Sequence, residues 1–274
     1  MPGCYDVISG KLIEEAGFPA AQASGANVIA CHFGVPDYSL VSMREMAEHS
    51  SRIAAALDIP VMGDADSGFG NAVNAYLTVR TFERAGLAGM NIEDQILPKR
   101  CGHLEGKEIL PIEEAVGKVR AAVEARTDSD FVINARTDAL SVAGYEETVR
   151  RGNAFLGVGA TMVFVEGAYT LQIMRDLVRD IRGPVAVNLV EGGKSPQKVS
   201  FAELQEIGVA RVSLPSTAMQ ASIAALRNVF RRLKEDGGVG GYGDLLCGFG
   251  VSQRLVGFEE IIRLERNYLT SNSS

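Results

Sequence analysis

Eight short apolar runs, rich in Val and Ile and poor in charge, recur through the chain and alternate with longer segments of helical periodicity. They are 1–6 (MPGCYD), 20–24 (AAQAS), 59–66 (IPVMGDAD), 87–94 (LAGMNIED), 130–137 (DFVINART), 160–167 (ATMVFVEG), 183–190 (GPVAVNLV) and 210–215 (ARVSLP). Helix-patterned segments at 42–57, 72–85, 112–126, 144–157, 170–180, 200–207 and 216–235 separate or follow them. Continuous apolar strands alternating with helices predict βα units and a parallel sheet buried on both faces. Glycines in ERAGLAG, GVGATM, IRGPVA and EIGVAR fall between helix and strand, where a left-handed C-cap is needed. Eight units by Pro215 predict a (β/α)8 TIM barrel over 1–235. An open doubly wound sheet is the rival, disfavoured by the count of eight and by the lack of a GxGxxG turn after the first strand.

The remaining 236–274 begin with a glycine-rich stretch that reads as a flexible connection, followed by helical spacing in 257–269. A chain of 274 residues with 46% hydrophobic and 22% charged residues can bury a large core. A net charge of −7 with no basic stripe argues against nucleic acid or an anionic membrane as partner. No apolar run reaches the roughly 18 residues of a membrane span, and no secretory signal pattern is visible. Four scattered cysteines, Cys4, Cys31, Cys101 and Cys247, fit free thiols in a reduced, cytoplasmic setting.

The ends of the runs carry the chemistry. Ser24 and Gly25, Asp64 and Asp66, Glu93 and Asp94, Arg136 and Asp138, Glu166, then Asn188 and Glu191 all follow apolar strands. Packing gives a buried strand no reason to end in a charge, whereas the C-terminal rim of a barrel is where catalytic groups sit. At strand spacing Asp64 and Asp66 are expected on one side; with Glu93 they form a hard-oxygen cluster suited to Mg²⁺ or Mn²⁺ held partly through water. Zinc is disfavoured because no Cys/His ligand spacing appears. Arg136 and the Lys99-Arg100 pair nearby suit an anionic substrate. Cys101 lies in PKRCGH between Arg100 and His103, and flanking cations favour a thiolate usable in acid–base or nucleophilic chemistry. The other three cysteines read as structural. His49 reads as a helix-surface residue and His32 as part of a loop near the rim.

These segments resemble the isocitrate lyase and phosphoenolpyruvate mutase superfamily along nearly the whole chain. The resemblance is carried by PGCYD (2–6), SGA (24–26), GVPD (34–37), GDADSGFGN (63–71), NIEDQ (91–95), KRCGH (99–103), NARTDA (134–139), FVEG (164–167) and NLVEGGKSP (188–196). It is strongest to the branch holding 2-methylisocitrate lyase, 2,3-dimethylmalate lyase, oxaloacetate hydrolase and the petal-death type of lyase. The resemblance implies a homotetrameric barrel whose C-terminal helix, here 257–269, is exchanged between subunits. It implies Mg²⁺ near Asp64 and Asp66, with Asp37 and Glu93 in the outer shell. A dicarboxylate or tricarboxylate substrate would dock on the backbone of Ser24, Gly25 and Ala26 and on Arg136, Glu166, Asn188 and Gly102. Lys99, Arg100, Cys101 and His103 would belong to a closing lid loop, with Cys101 as proton donor.

The implied reaction is retro-aldol (Claisen) cleavage of a substituted malate into a 2-oxo acid and a carboxylate. Hydrolysis of oxaloacetate to oxalate and acetate is the alternative, and a dicarboxylate-binding barrel without turnover is the third reading. The Cys101 thiol argues against a phosphonate mutase, and NLVEGGKSP favours the dimethylmalate and oxaloacetate group over methylisocitrate lyase. Pro215, where oxaloacetate hydrolases carry a serine, favours the lyase. The chain opens at its first strand without the short N-terminal helix common in relatives, so a less covered barrel floor is expected.

Overall fold

A computed structural model describes residues 1–102, 106–196 and 198–269. The eight apolar runs form eight parallel strands in sequential order: β1 (Gly3–Cys4), β2 (Ala21–Ala23), β3 (Val61–Asp64), β4 (Gly89–Glu93), β5 (Val132–Thr137), β6 (Met162–Val165), β7 (Val185–Asn188) and β8 (Arg211–Ser213). A parallel bridge between Pro2 and Leu214 brings the last strand back to the first. Gly3 N donates to Leu214 O at 2.8 Å and Leu214 N to Met1 O at 3.0 Å. The barrel is thereby nearly closed, and the open-sheet alternative is excluded.

The helices are α1 (Val7–Glu15), α2 (Gly25–Phe33), α3 (Met43–Ala54), α4 (Ala72–Arg84), α5 (Ile112–Ala125), α6 (Ala139–Val142), α7 (Tyr145–Gly157), α8 (Leu171–Asp180), α9 (Phe201–Ile207), α10 (Thr217–Asp236), α11 (Phe249–Leu255) and α12 (Phe258–Tyr268). Helices α1, α2, α6 and α11 were not expected from periodicity. Their short lengths, or the small polar residues and glycines in them, leave no sustained apolar stripe. Several starts follow capping rules: Ser42, Asn71 and Ser200 each accept from the backbone of the first turn and close a reciprocal capping box.

Strand alternation divides the barrel into two environments. Met90, Ile92, Ile133, Ala135, Val163, Val165, Val185 and Val187 face the helices and are buried in two apolar clusters. The opposite row is unexpectedly polar. Arg211 donates from Nη1 to Asn91 Oδ1 at 3.1 Å and from Nη2 to Gln22 Oε1. Asn134 Nδ2 reaches the same Asn91 oxygen at 2.7 Å, and Ser213 Oγ reaches the Gln22 oxygen at 3.0 Å. Arg211 has no ion-pair partner among the described residues, and burial lowers its pKa to about 10. These interior polar groups lie two residues before rim groups (Asn91 before Glu93, Asn134 before Arg136), on the same pleat face.

The chain divides into one compact unit from Met1 to Ala218 and a second from Met219 onward. The second unit contains most of α10, a 3₁₀ turn at Gly243–Leu245, α11 and α12, so the glycine-rich stretch is only partly irregular. No helix among the described residues is long and apolar enough to cross a membrane.

Candidate active site at the C-terminal rim

Strand β2 ends at Ala23, and Ser24 follows it as the extended N-cap of α2 without spending its own hydroxyl as a cap. Backbone N–H groups of the first turn and the helix dipole therefore face the rim, the arrangement that binds a carboxylate. Next to it, β3 delivers Asp64, whose carboxylate packs so closely on Gly25 that a Cβ there would overlap it. Only glycine fits.

Asp66 reaches the same cluster by a route different from the expected strand spacing. β3 stops at Asp64, and Asp66 adopts a left-handed backbone with φ 46° while its N–H donates to Asp64 Oδ1 at 3.2 Å. A turn, rather than a period of two, turns its carboxylate inward. Lys99 Nζ lies 2.5 Å from Asp37 Oδ1 and 2.9 Å from Asp66 Oδ1. The second contact is ionic without good direction, leaving Asp66 Oδ1 short of a hydrogen bond. Burial pushes the Asp66 carboxyl up to about 6, against the pull of Lys99. Burial disfavours the Lys99 ammonium too, but Asp66, Glu93 and Asp37 together hold its pKa well above that of free lysine.

The second half of the site is built around Arg136. Its Nε contacts Asp138 Oδ2 at 2.9 Å and Glu93 Oε2 at 3.1 Å, and its Nη2 lies 3.4 Å from Glu166 Oε2. Asn188 Nδ2 donates to that Glu166 oxygen at 3.4 Å, and the guanidinium covers the Phe164 ring at 5.2 Å. One cation thus serves three buried carboxylates. Arg136 stays firmly charged despite burial, whereas burial raises the Glu93 carboxyl well above the ordinary range, with Arg136 and Lys99 only partly opposing it. Glu93 Oε1 is buried without a hydrogen bond.

Oxygen donors at Asp64, Asp66 and Glu93, two of them carrying unsatisfied buried atoms, fit a hard divalent cation. Among the described residues no three His, Cys, Asp or Glu side chains are placed to hold a metal by themselves. The donor set therefore suits an ion that retains waters or takes ligand oxygens.

The loop after β4 covers these groups. Lys99 N donates to Ser39 Oγ at 2.9 Å, and Arg100 exchanges both backbone groups with the Gln95 side-chain amide. Arg100 lies over the Tyr38 ring at 5.8 Å. The two cations that precede Cys101 in sequence thus also engage partners far along the chain, Lys99 at Asp37 and Asp66 and Arg100 at Tyr38. Gly102 sits directly against Arg136 and Glu166, with no room for a Cβ, and Cys101 is partly buried. His103 lies outside the described residues. Cys4 is buried as expected, whereas Cys31 is exposed on α2 and does not fill a core. His32 lies on α2 instead of in a loop, with its ring stacked on His49 at a 4.0 Å centroid distance.

Sequence reasoning passed over two rim residues. Lys107 pairs with Asp138, and Tyr169 is raised to about 12 by burial and then by Glu166 and Asp138, with Cys101 contributing. Neither ends a strand, so the strand-end pattern does not mark them.

The phosphoenolpyruvate phosphomutase family model matches residues 1–234. The chain belongs to the phosphoenolpyruvate mutase/isocitrate lyase superfamily. It is 39% identical to 2,3-dimethylmalate lyase of Eubacterium barkeri over 98% of this chain and 93% of that one. It is 40% identical to 2-methylisocitrate lyase of Aeropyrum pernix over 86% of this chain and 75% of the relative. Among solved superfamily structures, an oxaloacetate acetylhydrolase bound to 3,3-difluorooxalacetate superposes with TM-score 0.92 at 30% identity, covering 99% of this chain and 92% of that chain. A phosphonopyruvate hydrolase complexed with oxalate and Mg²⁺ superposes with TM-score 0.88 at 33% identity, covering 98% and 93%. The chain is an enzyme of this superfamily, in which relatives of similar length are named as lyases.

Proposed function

We propose that the protein is a Mg²⁺-dependent carbon–carbon lyase that splits a substituted malate of the 2,3-dimethylmalate or 2-methylisocitrate type into a 2-oxo acid and a carboxylate. The observation that carries this reading is the seating of Gly102, next to Cys101 in the chain, directly on the Arg136–Glu166 pair. It supports a role for the neighbouring Cys101 thiol at the rim, beside the cation that three carboxylates share.

One substrate carboxylate docks on the α2 N-terminus at Ser24, Gly25 and Ala26, and Arg136 with Asn188 orients the rest. Asp64 and Asp66 would hold the cation, with Asp37 and Glu93 behind them, and the cation would supply Lewis-acid polarisation of the C2 oxygen. The C2 hydroxyl gives up its proton to a rim carboxylate, the C2–C3 bond breaks, and C2 becomes the carbonyl of the 2-oxo acid. The electron pair left on C3 spreads into its carboxylate, and Cys101 delivers a proton to that carbon. Arg100 and His103 stabilise the developing charge, and the loop keeps water out while it exists.

Overall similarity to a dimethylmalate lyase across 98% of the chain supports this substrate class. The structural likeness to oxaloacetate acetylhydrolase supports hydrolysis of oxaloacetate as the second reading. Incubation with 2,3-dimethylmalate, 2-methylisocitrate and oxaloacetate, each with Mg²⁺ and again after chelation, separates the two. Pyruvate-type product from a substituted malate, lost on chelation, is expected; oxalate as the dominant product refutes the lyase reading.

We assign α12 to exchange between subunits of a homotetramer, with 236–257 as its connection. Phe258, Ile261 and Leu264 leave an exposed apolar stripe at helical spacing. Sedimentation that gives a monomer refutes this.

A further inference from the structure

Lys107 belongs to no strand end, yet its side chain is only 3% exposed. Its ammonium donates to two oxygens, Asp138 Oδ1 at 2.7 Å and the Gly102 carbonyl at 2.7 Å. Burying an ammonium is costly unless its hydrogens are well placed, and here each of these is charge-assisted or aimed at a carbonyl.

Both ends of this connection are fixed. Lys107 stands on the returning limb of the loop, where Gln95 bridges Ile109, Ile96 N donates to Glu108 O at 2.9 Å, and Leu110 N donates to Asp94 O at 2.9 Å. Asp138 has its N–H on Asp94 Oδ1 at 3.0 Å, and its carboxylate takes both Nε and Nη2 of Arg136. Burial opposes the charged form of Asp138, but Arg136 and then Lys107 overcome this and keep its pKa below the ordinary value. Between the anchored limb and the anchored carboxylate, the ammonium grips Gly102. Gln95 grips Arg100 through both backbone groups on the other side. Cys101 is the residue held between these two grips.

We propose that Lys107 is a positioning residue: its ammonium ties the Gly102 carbonyl to Asp138, holds Gly102 against Arg136 and Glu166, and so fixes the place of the preceding Cys101. The proposal rests on the reading of Cys101 as the reacting thiol, but its test needs no substrate. A lysine that merely neutralised Asp138 would set barrel stability and leave the thiol where it is.

The experiment is alkylation of Cys101 by iodoacetamide, followed by peptide mass spectrometry, in a background where the exposed Cys31 and Cys247 are serine. Buried Cys4 reports opening of the barrel in the same sample. K107M is expected to speed Cys101 alkylation by at least about tenfold, the factor corresponding to loss of about 1.4 kcal/mol from a charge-assisted hydrogen bond, with Cys4 unlabelled. K107R, which can donate to both oxygens, is expected to restore the slow rate. A K107M rate within twofold of the parent, with Cys4 protected, overturns the proposal. Should K107M label Cys4, the same comparison is made with the smaller change K107Q. If that variant labels Cys4 as well, Lys107 holds the fold and the proposal also fails. Failure of the lyase reading would show separately, as absence of turnover in a protein whose Cys101 is still released by K107M.

Discussion

Replacing Arg136 by methionine removes one cation from three buried carboxylates, and the structure says which of them suffers. Asp138 keeps Lys107 at 2.7 Å, and Glu166 keeps the Asn188 amide at 3.4 Å. Glu93, 3% exposed in its side chain and with Oε1 already unpartnered, loses its close ion pair. Removing one partner of a buried ion pair costs about 3–5 kcal/mol. For a chain of this size that corresponds to a drop in Tm of about 10 °C. The cost must depend on pH. Burial already raises the folded-state pKa of Glu93, with Arg136 the first opposing influence, so R136M raises it further. Above the ordinary glutamate value the folded variant then holds a proton that the unfolded chain has released, and its stability falls as pH rises toward the raised value. Calorimetry of wild type and R136M at pH 5 and pH 8 is the assay. The Tm gap should be widest at pH 8 and shrink at pH 5, where Glu93 is protonated in the fold at little cost. A gap that is equal at both pH values, or widest at pH 5, refutes the assignment of Glu93 as the uncompensated group.

Cys101→Ser should lower turnover of the substituted malate by about 10²–10⁴-fold with KM little changed, as loss of a general acid requires; full activity in the variant sinks the proton-donor role. Gly25→Ala forces a methyl group into the Asp64 carboxylate. Calorimetric titration should show Mg²⁺ binding weakened by about tenfold or more, and an unchanged Kd would remove Asp64 from the cation site. Arg211→Met should cost no more than about 1 kcal/mol, because Asn91 Oδ1 keeps Asn134 and Gln22 Oε1 keeps Ser213 as donors. A larger fall in stability by denaturant titration would mean that the barrel interior depends on this unpaired cation.

The eight strands were legible in the sequence because a parallel strand buried on both faces must be a nearly continuous apolar run, and punctuation by glycine marks where each begins. The rim was legible for a related reason: a charge at the end of such a run has no packing role, so Asp64, Glu93, Arg136, Glu166 and Asn188 stood out from their neighbours. The interior polar row did not, although Asn91 and Asn134 sit two residues before rim groups on the same face, because one amide inside an apolar run reads as noise until its partners on other strands are known.

What the sequence determined by itself is therefore the periodic part of the molecule, a barrel with its polar groups on one rim. Its periodicity is local, set by the geometry of strand and helix. Only the tertiary structure decided which charge serves which. Lys99 and Arg100 flank Cys101 in the chain but turn to Asp37 with Asp66 and to Tyr38, while Lys107, five residues beyond Gly102, takes its carbonyl. Asp66 joins Asp64 through a left-handed turn that no alternation pattern encodes. Pairing among buried charges is settled by distance and desolvation across different strands and loops, and these quantities come into being only when the barrel closes.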